Sequence, residues 1–162
     1  MVRVIPDYVS PDKARELYQS LTTIDDAYFI DRHIHKPNLG IDGSIGYYFS
    51  CSDVSCPAPL QQQIISLIPT HKEMMCEEWV INKTHIGGYM PPHIDNEGYF
   101  GFAVLALNTG AGVFTYYENN DINRPIHIKD KAGQLIWVED IAQLHAVSHV
   151  TDLRFTLIFL YL

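Results

Sequence analysis

Cysteine is scarce in this chain. Cys51, Cys56 and Cys76 make an odd number with no C-x-x-C pair, so a disulfide framework is not the expectation and free thiols in a reducing cytosol are. Long apolar runs are missing too. No stretch reaches the length needed to span a membrane, and the opening MVRVIPDYVSPDK lacks the apolar core of a signal peptide. A cytoplasmic protein with no membrane partner is therefore expected. Clustered positive charge is the third absence. Eleven Lys and Arg are scattered among nineteen Asp and Glu, for a formal net charge of −8. Proteins that grip a phosphate backbone carry a basic patch, so nucleic acid is disfavoured as a partner, although a bound divalent metal would add positive charge at the substrate.

What is present fits one domain. The 162 residues, 47% of them hydrophobic, suffice for a core that needs no staples. Ten Tyr and seven Phe lean the composition toward β structure. Residues 2–9 read as an edge strand, because Pro6 is tolerated only there or at a bulge. Ser10-Pro11-Asp12 is a helix start: a capping hydroxyl, a proline suited to the first turn and an acid at the positive dipole end. Ala14, Leu17, Tyr18 and Leu21 then share a face, which predicts a helix to about Thr22.

Strands are predicted over 27–34 and 44–50 around a turn-rich loop at 36–43, and a second helix from about Pro59 to Ile68, stopped by Pro69. From residue 77 short strand-like runs alternate with turns: EEWVINKT, FGFAVLALN, GVFTYYEN, IHIKD, GQLIWVED, HAVSHV and LRFTLIFLYL. That spacing suggests a sandwich or barrel. The expected organisation is a single domain over 1–162, with a mixed helix and strand lead-in over about 1–76 and a β core over about 77–162.

His93-Ile94-Asp95 lies in the segment GGYMPPHIDNEGY. Two residues apart in an extended chain, the imidazole and the carboxylate project to one side. A second His from a distant strand would complete two nitrogens and one carboxylate on one face of a metal, the arrangement of non-haem Fe(II) oxygenases. H-x-D by itself decides nothing in a chain with eight His. His71-Lys72-Glu73 also has a metal-ligand spacing, but its polar surroundings predict a solvated loop.

The C-terminal run LRFTLIFLYL adds the second signal. In a strand, Arg154, Thr156, Ile158 and Leu160 share one face, and Leu153, Phe155, Leu157, Phe159 and Tyr161 share the other. A guanidinium among these residues needs an anion. No acid follows Asp152, so the partner comes from elsewhere in the fold or from a ligand. A ligand carboxylate matches the planar fork of donors, with the Thr156 hydroxyl two residues on.

Residues 87–162 resemble the catalytic core of the 2-oxoglutarate/Fe(II) oxygenase superfamily, in particular its prolyl-hydroxylase-like branch. The features that carry the resemblance are His93-Ile94-Asp95, His145-Ala146-Val147, Arg154 nine residues beyond His145, and Ala132-Gly133-Gln134-Leu135-Ile136-Trp137 before the distal His. The resemblance implies a mainly β fold with flanking helices, a distorted double-stranded β-helix (jelly roll). It implies iron ligation by His93, Asp95 and His145, and 2-oxoglutarate bound by Arg154, with Thr156 as a helper. Asn82 is a further candidate, because an Asn is similarly placed in the AlkB-type demethylase branch, whereas Leu160 stands where that branch carries a second Arg.

Fe(II), 2-oxoglutarate and O₂, with ascorbate as reductant, are the implied cofactors. The implied reaction is hydroxylation of an unactivated C–H bond in a prolyl, other amino-acid or peptide substrate. A modified nucleobase is the enzymatic alternative. A β-helix module that binds a metal or 2-oxoglutarate without turnover is the alternative of another class. His149 would share a strand face with His145, and spacing alone favours His145. His149 and His85 read as satisfied polar groups at strand ends, and His33 and His35 as surface groups. Tyr47, Tyr48, Trp79 and Tyr89 read as core or rim packing.

Overall fold

A computed structural model describes residues 1–95 and 98–162. The chain starts on β1 (Val2–Ile5), runs through α1 (Pro11–Thr22), the two-residue β2 (Ile30–Asp31), β3 (Phe49–Ser52) and α2 (Ala58–Ile65), and then becomes a series of strands. These are β4 (Cys76–Thr84), β5 (Met90–His93), β6 (Gly101–Ala106), β7 (Val113–Tyr117), β8 (Pro125–Lys129), β9 (Leu135–Val138), β10 (His145–Val147) and β11 (Arg154–Tyr161). They form a seven-stranded sheet in the order β1-β9-β6-β11-β4-β3-β2 and a four-stranded sheet in the order β5-β10-β7-β8. Every pairing is antiparallel.

The large sheet is covered on both faces. Phe155, Leu157, Phe159 and Tyr161 of β11 join Leu17 and Leu21 of α1 and Leu60 and Ile64 of α2 in one core. On the opposite face Phe102, Val104, Ile136 and Leu160 meet Phe114 of the small sheet. A strand with apolar side chains on both faces requires this arrangement, and β6 and β11 are the strands that run through the middle.

The helix start behaves as the sequence predicts. Ser10 Oγ accepts from Lys13 N–H at 3.1 Å, and α1 buries Ala14, Leu17 and Leu21. The lead-in differs in four places. The strand expected over 2–9 stops at Ile5, before Pro6. Residues 27–34 form a 3-10 turn (Asp26–Tyr28) and only a two-residue strand. Residues 44–48 make isolated bridges, such as Tyr47 to Tyr89, before β3 begins at Phe49. The second helix ends at Ile65 rather than Ile68, although Leu67 still packs in the core. Aromatic and β-branched residues drew the strand assignments, but here they cap and bridge the sheet edge rather than extend it.

Candidate metal and co-substrate site

β5 holds two consecutive prolines, Pro91 and Pro92, which fit because it is an edge strand of the small sheet. Its last residue, His93, is the direct cross-strand partner of His145 on β10. Asp95 follows two residues on. The three offer ligand atoms that all lie within 4.8 Å of one another. His93 Nε2 lies 3.4 Å from Asp95 Oδ1, and His145 Nε2 lies 3.4 Å from Asp95 Oδ2.

The far side of each ring is fixed. His93 Nδ1 is 2.8 Å from the Pro91 carbonyl, and His145 Nδ1 is 2.8 Å from the Gln143 carbonyl. A carbonyl only accepts, so Nδ1 carries the proton in both rings and Nε2 faces inward. Orientation of this kind raises the basicity of a metal-binding imidazole. Phe102 and Phe114 pack on the His145 ring at 4.9 and 5.7 Å between centroids.

Burial, and then the neighbouring His93, push the His145 pKa down to about 4. His93 goes the other way: burial opposes its charge, but Asp95 outweighs burial and raises its pKa. Burial also opposes the charge of Asp95, while His93, His145 and Arg32 together hold its carboxyl below the usual range. A neutral His145 thus turns a lone pair toward a carboxylate oxygen 3.4 Å away. Acceptor facing acceptor is repulsive unless a cation lies between them. Two imidazole nitrogens and one carboxylate are the donor set that suits Fe(II) with open positions left over.

The cavity beside this triad is also lined by Arg154, Thr156, Ile158 and Leu160 of β11 and by Val80 and Asn82 of β4. These are alternate residues facing one way from neighbouring strands, in the register Thr156 to Asn82. Thr156 is 1% exposed, and its Oγ1 is one of two buried side-chain polar atoms without a partner among the described residues. A hydroxyl left this way in a cavity is a feature a ligand would complete. Asn82 is buried beside it.

The sequence left the anion for Arg154 open between the fold and a ligand. The fold supplies one. Arg154 Nε donates to Asp130 Oδ2 at 2.6 Å and Nη2 donates to Oδ1 at 3.1 Å, with both side chains buried. Among the described residues Nη1 has no hydrogen-bond partner, and Arg154 lines the cavity together with Thr156. Gly112 leaves room for the pair: a Cβ there would lie 3.0 Å from Arg154 Cδ and Nε and 3.2 Å from Asp130 Oδ2.

The other histidines stay out of the cluster. His149 lies beyond the end of β10, exposed and stacked on Tyr89 at 4.5 Å. His71 is a correction: it is buried rather than solvated, against Trp137 at 4.5 Å and Glu139 at 3.5 Å. His33 and His85 are exposed and make edge contacts with Tyr47 and Phe49. Trp79 packs in the core, but Tyr48 lines the cavity. Arg32, Asn38 and Asp130 went unmarked in the sequence reading, because none stands at a motif spacing from the triad.

No protein-family model matches the chain, and no curated protein matches it. Solved structures do. A 2OG-Fe(II) oxygenase family oxidoreductase from Burkholderia pseudomallei superposes with a TM-score of 0.70 at 15% identity, over 99% of this chain and 84% of that one. A Pseudomonas putida prolyl-4-hydroxylase gives 0.64 at 14%, over 99% and 91%. A prolyl hydroxylase from Trichoplax adhaerens, in complex with a hypoxia inducible factor peptide fragment, gives 0.65 at 14%, over 99% and 82%. The chain has the double-stranded β-helix fold of the 2OG-Fe(II) oxygenases, with an H-x-D and a distal His brought together inside it.

Proposed function

We propose that this protein is an Fe(II)- and 2-oxoglutarate-dependent dioxygenase that hydroxylates an unactivated C–H bond of an amino-acid or peptide substrate, with prolyl side chains the leading case. The observation that carries this reading is the convergence of His93, Asp95 and His145 in a cavity that Arg154 and the unpartnered Thr156 hydroxyl also line. The residues present fit both groups. Bound Fe(II), with 2-oxoglutarate and O₂, would supply an oxidant that converts C–H to C–OH while the co-substrate becomes succinate and CO₂.

The chain's own residues supply position and environment. His93, Asp95 and His145 would hold the ion beside the cavity. The two backbone carbonyls keep the imidazoles in one tautomer, so no proton has to leave Nε2 of His145 for the ion to bind. Arg154 Nη1 and the Thr156 hydroxyl would donate to the distal carboxylate of the co-substrate, with Asn82 beside them. Asp130 holds Arg154 still, which lowers the ordering cost of that contact. Val104, Phe102, Phe114 and Ile158 form apolar walls of the cavity and would keep water from the reacting groups. The prolyl preference rests on the likeness to the two prolyl hydroxylases.

The test is succinate formation by protein loaded anaerobically with Fe(II), then given 2-oxoglutarate, ascorbate and air. Succinate should form at a slow uncoupled rate and disappear in His93→Ala. Absence of 2-oxoglutarate binding in calorimetry with an inert metal would overturn the reading.

A further inference from the structure

A second guanidinium lines the same cavity. Arg32, just past β2, faces the cavity with Asn38 and Tyr48. Of an arginine's five N–H donors, Arg32 uses three: Nε and Nη2 donate to the Lys36 carbonyl at 3.1 and 2.7 Å, and Nη1 to Ser50 Oγ at 3.3 Å. The remaining two have no protein acceptor among the described residues. Neither does Arg32 form an ion pair with any described carboxylate, whereas Arg154 is neutralised by Asp130. Asp95 feels the charge of Arg32 without bonding to it, so the two arginines of the cavity differ in whether a bonded carboxylate offsets their charge.

Strand register places them. Ser50 is the cross-strand partner of Asn82, and Asn82 of Thr156. All three are buried, and they form a polar row across β3, β4 and β11. Two inter-strand steps separate Ser50 from Thr156, about 10 Å. Arg32 stands at one end of the row and Arg154 at the other. A co-substrate held at Thr156 and at the metal leaves the Arg32 end vacant.

The Arg32 end opens outward. The cavity at the triad holds about 100 Å³, and a groove of about 960 Å³ adjoins it, sharing Arg32, Asn38, Val80 and Leu160. The groove's walls carry Arg32, His35 and Lys36 against one described acid, Glu78, which already accepts from the Tyr99 hydroxyl at 2.5 Å. On a chain of net charge −8, two permanent cations, Arg32 and Lys36, against one described acid make this wall locally basic.

Resting on the dioxygenase reading, we propose that Arg32 is the recognition residue for a carboxylate on the prime substrate, bound at the junction of cavity and groove with the oxidised carbon directed at the triad. A carboxylate accepts two parallel N–H donors from a guanidinium, which fits the two that remain. The carboxylate belongs either to a free amino acid or to an acidic residue of a peptide. Ser50 and the Lys36 carbonyl hold the guanidinium in place for it.

The test uses protein loaded with Mn(II) and 2-oxoglutarate under nitrogen, with binding read by calorimetry and then succinate release read in air with Fe(II). One arm compares free L-amino acids with their amides. The other compares blocked proline peptides carrying Asp with the same peptides carrying Asn. In one arm the acid should bind roughly ten- to a hundredfold more tightly than its neutral analogue and raise succinate release, and that arm identifies the source. Arg32→Gln should erase the preference and Arg32→Lys should restore part of it. No acid preference in either arm overturns the proposal. So does an Arg32→Gln variant that loses 2-oxoglutarate affinity as Arg154→Gln does, since Arg32 would then serve the co-substrate. Failure of the wild type to bind 2-oxoglutarate is seen before any acid is added and overturns the dioxygenase reading itself.

Discussion

Asp130 and Arg154 face each other at 2.6 and 3.1 Å, each almost sealed from water. Breaking such a pair strands a buried charge. Asp130→Asn should therefore destabilise the fold by about 3–5 kcal/mol and weaken 2-oxoglutarate binding, as urea denaturation and calorimetry would show. His145 provides a second residue-level prediction. Its folded pKa is about 4 against about 6.5 in the unfolded chain. Between those values the unfolded chain holds a proton that the folded one lacks, so stability falls as pH drops from 6.5 toward 4. In metal-free protein the wild type should lose roughly 3 kcal/mol relative to His145→Gln over that window, checked by denaturation in the presence of a chelator. The triad was legible in the sequence through the resemblance: Asp95 stands two positions after His93, and Arg154 nine positions after His145. Asp130 was not legible. It sits 24 positions from its partner, at a separation set by the return of β8 and β9, and no periodicity reports a contact of that kind.

At the scale of elements, β11 explains why the site is rigid. One face of the strand is core and the other is cavity, and it pairs along its length with both β4 and β6. Its sequence announced this, since two apolar faces imply cover on both sides. The lead-in was less legible. Residues 27–50 carry strand-forming side chains, yet most of that stretch is bridges and turns at the sheet's edge, where tertiary contacts override propensity. Arg32 lies in that stretch, which is why a cavity residue was hidden there. Gly112, just before β7, tests how closely elements must approach. Gly112→Ala should push Arg154 and Asp130 apart, cost about 1–3 kcal/mol through overpacking, and weaken co-substrate binding more than it changes the secondary structure. Circular dichroism together with calorimetry would separate the two effects.

For the molecule as a whole, the two sheets face each other across the cavity: His93 and His145 belong to the small sheet, and Thr156 and Arg154 to the large one. A ligand that bridges them ties the sheets together in the folded state and has no equivalent site in the unfolded chain. Metal and co-substrate should therefore act as staples. At a free concentration about a hundred times Kd, a single such ligand adds roughly 2.7 kcal/mol. With Mn(II) and 2-oxoglutarate together the thermal midpoint should rise by several degrees, about 2–4 °C for each kcal/mol in a chain of this size. The two ligands should also reinforce one another, because the co-substrate would chelate the ion while its other end rests on Arg154 and Thr156. The rise should vanish in His93→Ala for both ligands, and in Arg154→Gln only for the co-substrate's share. A midpoint that rose equally in His93→Ala would mean that the metal binds elsewhere, and the acceptor-to-acceptor contact between His145 and Asp95 would need another explanation.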